Sequence, residues 1–132
     1  MPVATKYDIN KNNSDTANAN DRNSKSILSH DQFILGVRYI KGQDCQKNEH
    51  EALRLLKLAA AQNNAHALKS IGDMYQLGGA AVAKNHNEAY RHYQLASAVD
   101  PNNACAIYAL GFCFVNGIGV EVDLEEGLKK YR

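Results

Sequence analysis

The sequence predicts an all-α fold, a solenoid of stacked helical hairpins about two and a half units long. Three observations predict it. A glycine after Leu or Ile recurs as Leu35-Gly36, Ile71-Gly72 and Leu110-Gly111, at spacings of 36 and 39 residues. Each of these glycines is followed three residues on by an aromatic (Tyr39, Tyr75, Phe114) and six residues on by another glycine (Gly42, Gly78, Gly117). Beyond that glycine a capping residue precedes Glu by three positions and a small residue by four: Asn48 with Glu51 and Ala52, Asn85 with Glu88 and Ala89, Asp123 with Glu126 and Gly127. A fixed period in this range marks an array whose units bury their faces against one another.

Taken in order, residues 1–28 are rich in Asn, Ser, Asp and Lys, poor in apolar side chains, and expected to form a disordered polar leader. Asn12-Asn13-Ser14 fits a glycosylation acceptor, but no apolar run after the start suggests export, and no stretch approaches the ~20 apolar residues of a membrane span. A cytoplasmic chain without direct membrane insertion is expected. Order begins near Ser29, where Ser29-His30-Asp31-Gln32 fits a capping box and Leu28 with Phe33 a hydrophobic staple. The first helix carries Leu35, Gly36 and Tyr39 inward. Its partner runs from about Glu49 to Gln62 and buries Ala52, Leu55, Leu56, Ala59 and Ala60 before Asn63-Asn64 close the unit. Ser29, Asp31 and Gln32 stand where the next unit has Ala65, Ala67 and Leu68, as suits the uncovered face of a terminal unit.

The third helix, about Ala65 to Leu77, turns Leu68, Ile71, Gly72 and Tyr75 inward, and the fourth, His86 to Val99, packs Ala89, His92, Tyr93 and Ala96. In the fifth, Ala106, Ile107, Leu110, Gly111 and Phe114 form one apolar face. A mid-helix glycine such as Gly111 costs roughly 1 kcal/mol against Ala and marks the close approach of another backbone. Asn116-Gly117-Ile118-Gly119 stops this helix, and Asp123 with Glu126 restarts one that runs into Leu128 and Tyr131. The expected units are 29–64, 65–103 and an incomplete 104–132.

Leu-Gly-x-x-Tyr-x-x-Gly, then Gly-x-Gly-Val-x-x-Asp, then a helix with Ala and an aromatic pair resembles the Sel-one-like repeat, a relative of the tetratricopeptide repeat. Residues 117–123, GIGVEVD, match the turn without a gap. The first turn, GQDCQKN, departs from it at Asp44, Cys45 and Asn48, and the second, GGAAVAKN, is one residue longer. Asp100-Pro101-Asn102-Asn103 is similar to a tetratricopeptide linker, yet the period exceeds the 34 residues of that family. The resemblance implies an α/α helical-hairpin solenoid of the tetratricopeptide-like superhelical type that acts as a protein-interaction adaptor or scaffold. Cysteine-rich proteins that resemble this family staple their hairpins with disulfides and are linked to penicillin binding or β-lactam hydrolysis. A β-lactamase-like hydrolase is therefore the alternative.

Composition and motifs favour the adaptor. A net charge of +1, with 11 basic and 11 acidic residues over 29–132, gives no support to a nucleic-acid partner. His30, His66 and His92 fall at unrelated positions and His50 and His86 lie beside caps, so no metal site is expected. Gly117-Ile118-Gly119 lacks the third glycine and the preceding strand of a dinucleotide fingerprint, so no cofactor is expected. Cys105 and Cys113, eight residues apart on one helix, would sit about 12 Å apart, beyond disulfide reach. With Cys45 they are expected to stay reduced. No catalytic constellation emerges.

What remains is surface. Offset from the Leu-Gly-Tyr stripe, the first helices present a second face: Phe33, Val37 and Ile40, then Lys69, Asp73 and Gln76, then Tyr108, Phe112 and Val115. Two apolar ends flank a polar middle, as would suit a groove for a partner helix or extended peptide. On this reading Phe112→Glu abolishes partner binding and leaves helicity intact. A purely structural role is the other alternative, an end that self-associates through the exposed third unit.

Overall fold

The computed structural model describes residues 21–42 and 45–131. Residues 1–20, with most of the expected leader and its Asn12-Asn13-Ser14, lie outside the described residues, as does Asp44. The helices are α1 (Asp21–Lys41), α2 (Glu49–Ala60), α3 (Ala65–Leu77), α4 (His86–Val99), α5 (Ala104–Asn116) and α6 (Leu124–Lys130). No strand occurs among the described residues. The helices pack as hairpins, α1 with α2, α3 with α4 and α5 with α6, and consecutive hairpins meet through α2 against α3 and α4 against α5. This is the helical-hairpin solenoid expected from the repeat pattern.

The hairpins close in the same way three times. Asn48, Asn85 and Asp123 take extended backbone, and their side chains accept from the amides of Glu51, Glu88 and Glu126. The three glutamates do not bond back to the cap amides, so no reciprocal capping box forms. The amide of each cap instead donates to the carbonyl of the repeated aromatic: Asn48 N to Tyr39 O at 3.0 Å, Asn85 N to Tyr75 O at 2.8 Å, Asp123 N to Phe114 O at 2.8 Å. Freed from that role, Glu51 pairs with Arg54 at 2.5 Å and Glu88 with Arg91 at 2.8 Å, and the Arg54 guanidinium holds the Glu51 carboxyl below its ordinary range.

The repeated glycine sits where the hairpin is tightest. A methyl group on Gly36 would meet the Leu56 side chain, on Gly72 the Tyr93 ring, and on Gly111 the Tyr131 ring, with the carbonyls of Ala52, Ala89 and Gly127 close behind. Those three small residues are the ones that share a position in the second helices, and all are buried. Asn64 and Asn103, in the links between units, cap α3 and α5 by accepting from Ala67 N and Ala106 N at 3.0 Å each. Asn63 ends α2 in the left-handed region (φ 62°), a conformation Asn tolerates well.

The start of the first hairpin departs from expectation. α1 begins at Asp21, so residues 21–28 are helical rather than part of a disordered leader, and Ser29 lies inside a helix rather than capping one. Ser29 and Gln32 are also not exposed; both are buried, at 4% and 2%. Their polar atoms hold the far end of α2. Asn64 Nδ2 donates to Ser29 Oγ at 3.0 Å, Ser29 Oγ reaches Ala59 O at 3.5 Å, and Gln62 Nε2 donates to Gln32 Oε1 at 2.9 Å. Hydrogen bonding across the hairpin lets these polar groups stand where the second unit uses Ala65 and Leu68.

Candidate functional site

Helices α1, α3 and α5 line two neighbouring furrows that share Asp73. The furrow between α3 and α5 has a volume of about 440 Å³. Its α3 wall is Lys69, Asp73 and Gln76, its α5 wall Cys105, Tyr108 and Phe112, and Tyr93 of α4 reaches it from below. The other, about 450 Å³, lies between α1 and α3, with Val37, Ile40, Met74 and Leu77 as its apolar lining and Lys41 and Lys47 at its edge.

Seven of the nine residues expected on this face are thus brought to it. The other two are turned away. Phe33 fills the junction between the first two units, packed on the cluster of Leu56, Ala59, Ala67 and Ile71 with its ring 5.5 Å from that of His66. Val115 packs against Gly127 inside the third hairpin, because the space left by that glycine accepts its side chain. Phe112 lines the furrow but also packs on the core of Ala89, Tyr93 and Leu110, so Phe112→Glu would disturb folding as well as the surface. Tyr108 is the cleaner probe, at 61% exposed.

A polar lock sets the middle of this face. Lys69 Nζ and Asp73 Oδ2 pair at 2.8 Å, one helical turn apart, while Tyr93 Oη donates to Asp73 Oδ1 at 2.6 Å and lies 2.8 Å from the Gln76 carboxamide. A phenol has one proton, directed here to the Asp73 carboxylate at the shorter contact, and Gln76 Oε1 is a second acceptor within reach of the same hydroxyl. Among the described residues Tyr93 is the largest fully buried side chain. Burial, then the bond to the Asp73 carboxylate, pushes its phenol far above the ordinary value, so it stays a donor at any physiological pH. The sequence placed Tyr93 in the packing stripe but gave no sign that its hydroxyl would surface between Asp73 and Gln76.

The thiols differ sharply. Cys105 is exposed on the furrow wall, Cys45 is half-buried with its Sγ 3.7 Å from Arg38 O, and Cys113 is buried in the core. Burial, with the Asp73 carboxylate adding to it, pushes the Cys113 thiol up to about 11. At pH 8 such a shift from 9.0 leaves about 100-fold less thiolate than an ordinary thiol, before any loss of access is counted. With an aromatic disulfide reagent, Cys105 is expected to label more than about 100-fold faster than Cys113. Comparable rates would mean that the core around α5 opens freely. The sign for stability follows: the neutral thiol is favoured in the folded state, so its contribution is complete below pH 9 and declines as pH rises toward 11.

Among the described residues no group of three or more His, Cys, Asp or Glu is placed to hold a metal ion, and no helix is long and apolar enough to cross a membrane. The geometry defines a helical-hairpin repeat protein with a furrowed face. The chain belongs to the Sel1 repeat family, which it matches over residues 29–64, 65–99 and 106–129. It is 33% identical over 99 residues to a candidate ERAD-associated E3 ubiquitin-protein ligase component of Schizosaccharomyces pombe, covering 75% of this chain and 14% of that protein. It is also 33% identical over 103 residues to human protein sel-1 homolog 2, covering 78% of this chain and 15% of the relative. The chain therefore spans about a seventh of the length of these relatives. Among solved structures it is similar to a Sel1 repeat protein from Oxalobacter formigenes, with a TM-score of 0.65 and 31% identity over 78% of this chain and 41% of that one.

Proposed function

We propose that this chain is a protein-interaction module whose furrowed face, formed by α1, α3 and α5, takes a helix or extended peptide of a partner protein. The observation that carries the reading is the α3–α5 furrow, where an exposed aromatic, Tyr108, stands across from the Lys69–Asp73–Gln76 row. Aromatic side chains with a fixed polar row opposite are the usual makings of an anchored contact: apolar area supplies affinity and hydrogen bonds set register. The lock from Tyr93 holds that row in place before a partner arrives, which lowers the ordering cost of binding. Kinship with a candidate ligase component and with sel-1 homologs supports a scaffolding role in a larger assembly.

The test is selection of a phage-displayed library of random 12-residue peptides on the full chain, followed by affinity measurement of the enriched peptides as synthetic ligands. Tyr108→Ala with Lys69→Glu is expected to weaken them about tenfold or more, in keeping with the loss of one aromatic anchor and one ionic contact. Enriched peptides that bind this variant as tightly as the parent, or no enrichment at all, would refute the furrow as the binding face.

A further inference from the structure

The furrow between α1 and α3 differs in chemistry from its neighbour. Helices of two successive hairpins wall it on both sides. Its floor is apolar: Ile40 and Met74 pack on the core beneath, Val37 is half-buried, and Leu77 is 76% exposed. Leu77 stands five residues after the repeated glycine, where the first unit has Lys41 and the third Asn116. An open apolar side chain on one wall is thus level with a cation on the other.

The charges at the rim select the occupant. Lys41 and Lys47 are exposed on it, and Arg38 is exposed one turn back along α1. None of the three makes an ion pair among the described residues. Over 38–47 the only acidic residue in the sequence is Asp44, so the stretch carries a net charge of +2. The carboxylates on the furrow walls are already engaged, Glu49 Oε1 by the Ala80 amide at 3.0 Å and Asp73 by Lys69 and Tyr93. Arg38 and Lys41 also complement the C-terminal end of α1, but Lys47 lies beyond that helix and has no such role. The corresponding places in the next units, Met74 with Leu77 and Cys113 with Asn116, are uncharged, so the cationic rim belongs to this furrow alone of the two.

We propose that the α1–α3 furrow takes a partner segment in which a pair of apolar side chains is flanked by Asp or Glu. The apolar pair rests on Val37, Ile40 and Leu77, and the carboxylates meet Lys41 and Lys47. This rests on the reading of α1, α3 and α5 as a peptide-binding face and names the chemistry of the partner. Because the two furrows are neighbours sharing Asp73, one segment can run from the acidic-flanked pair to the anchor at Tyr108. Opposite charge across such a contact sets orientation and rejects basic segments more than it adds affinity.

Peptides enriched from a random 12-residue library on the full chain are the probe. They are expected to carry Asp or Glu beside a pair of apolar residues, and to bind Lys41→Glu with Lys47→Glu about tenfold or more weakly. Repeating the selection on that variant is expected to enrich Lys and Arg in place of the acidic residues. Leu77→Asn, which installs the side chain the third unit carries at this place, is expected to cost about fivefold in affinity with helicity unchanged. Lys57→Glu with Lys129→Glu makes the same change in net charge away from both furrows, and affinity is expected to stay within about twofold of the parent. Enriched peptides without acidic bias, an unchanged bias after charge reversal, or an equal loss in the Lys57 and Lys129 variant would each overturn this proposal while leaving the α3–α5 furrow standing. Loss with Lys41→Glu and Lys47→Glu but none with Tyr108→Ala and Lys69→Glu would uphold it and remove the α3–α5 furrow instead. No enrichment at all would overturn both.

Discussion

Gly72→Leu is expected to abolish the cooperative unfolding of the middle hairpin, with a stability loss of about 3 kcal/mol or more. A Cβ at this position would lie 2.6 Å from Tyr93 Cε1 and 2.8 Å from Cδ1, with Ala89 O at 3.2 Å on the other side. Overpacking is cheap only when the neighbour can move, and this ring is held at its far end by Asp73 and Gln76. Moving it would strand a buried hydroxyl and expose the centre of the core. The equivalent glycines give a graded comparison. At Gly36 the nearest neighbour is the side chain of Leu56 at 3.1 Å, which has room to adjust its rotamer, and at Gly111 it is the Tyr131 ring at 2.8 Å, near the end of α6. Alanine substitutions should therefore destabilise in the order Gly72, then Gly111, then Gly36, read as shifts in urea midpoints. Tyr93→Leu should partly rescue Gly72→Ala by removing the ring. A flat series, or no rescue, would mean that helix approach at the glycine is not what fixes the hairpin.

Gly119→Val is the second large effect, and its signature is local. Gly119 has φ of 72°, a conformation β-branched residues strongly disfavour, and a Cβ there would run into His86 O and lie 2.7 Å from Tyr90 Cβ. One clash is with the main chain of α4, which cannot yield without opening the first turn of that helix. The α5–α6 turn would have to lift off the preceding hairpin, at a cost of about 3 kcal/mol from strain and lost packing. Hydrogen exchange should show α5 and α6 losing protection while α1 and α2 keep theirs, because an array of this kind couples nearest neighbours most strongly. Uniform loss across all six helices would show that the described units unfold as one block.

The fold was legible because the residues that mark it act through the backbone. Gly36, Gly72 and Gly111 recur where two helices touch, and Asn48, Asn85 and Asp123 recur where amides need an acceptor, so their spacing carries the architecture directly. Side chains that act through distant partners were harder to read. Ser29 and Gln32 looked like solvent-facing polar residues because their partners, Asn64 and Gln62, lie 35 and 30 residues away and become neighbours only in the folded hairpin. The start of α1 at Asp21 was missed for a related reason: its first turns carry none of the apolar periodicity that flags a packed helix. On the candidate face, the spacing placed Lys69, Asp73, Gln76, Tyr108 and Phe112 together. It misplaced Phe33 and Val115, because the same helical position turns toward a neighbouring helix when the residue is large and apolar and a space beside it is free.

The bond from each cap amide to the carbonyl of the repeated aromatic closes the hairpin through the main chain, so the turn between is free to vary wherever it makes no contact with the preceding hairpin. The second turn already shows this freedom, with one residue more than the third and its own internal bond from Gly79 N to Val82 O at 2.9 Å. Loop length costs little entropy once the ends are fixed, each doubling adding only about 0.6 kcal/mol. Ala80 ties this turn to the first hairpin through its amide, which donates to Glu49 Oε1 at 3.0 Å, so the stretch from Ala81 to Ala83 is the natural graft point, where a foreign epitope or a second binding loop can be carried by the scaffold without rewriting its helices.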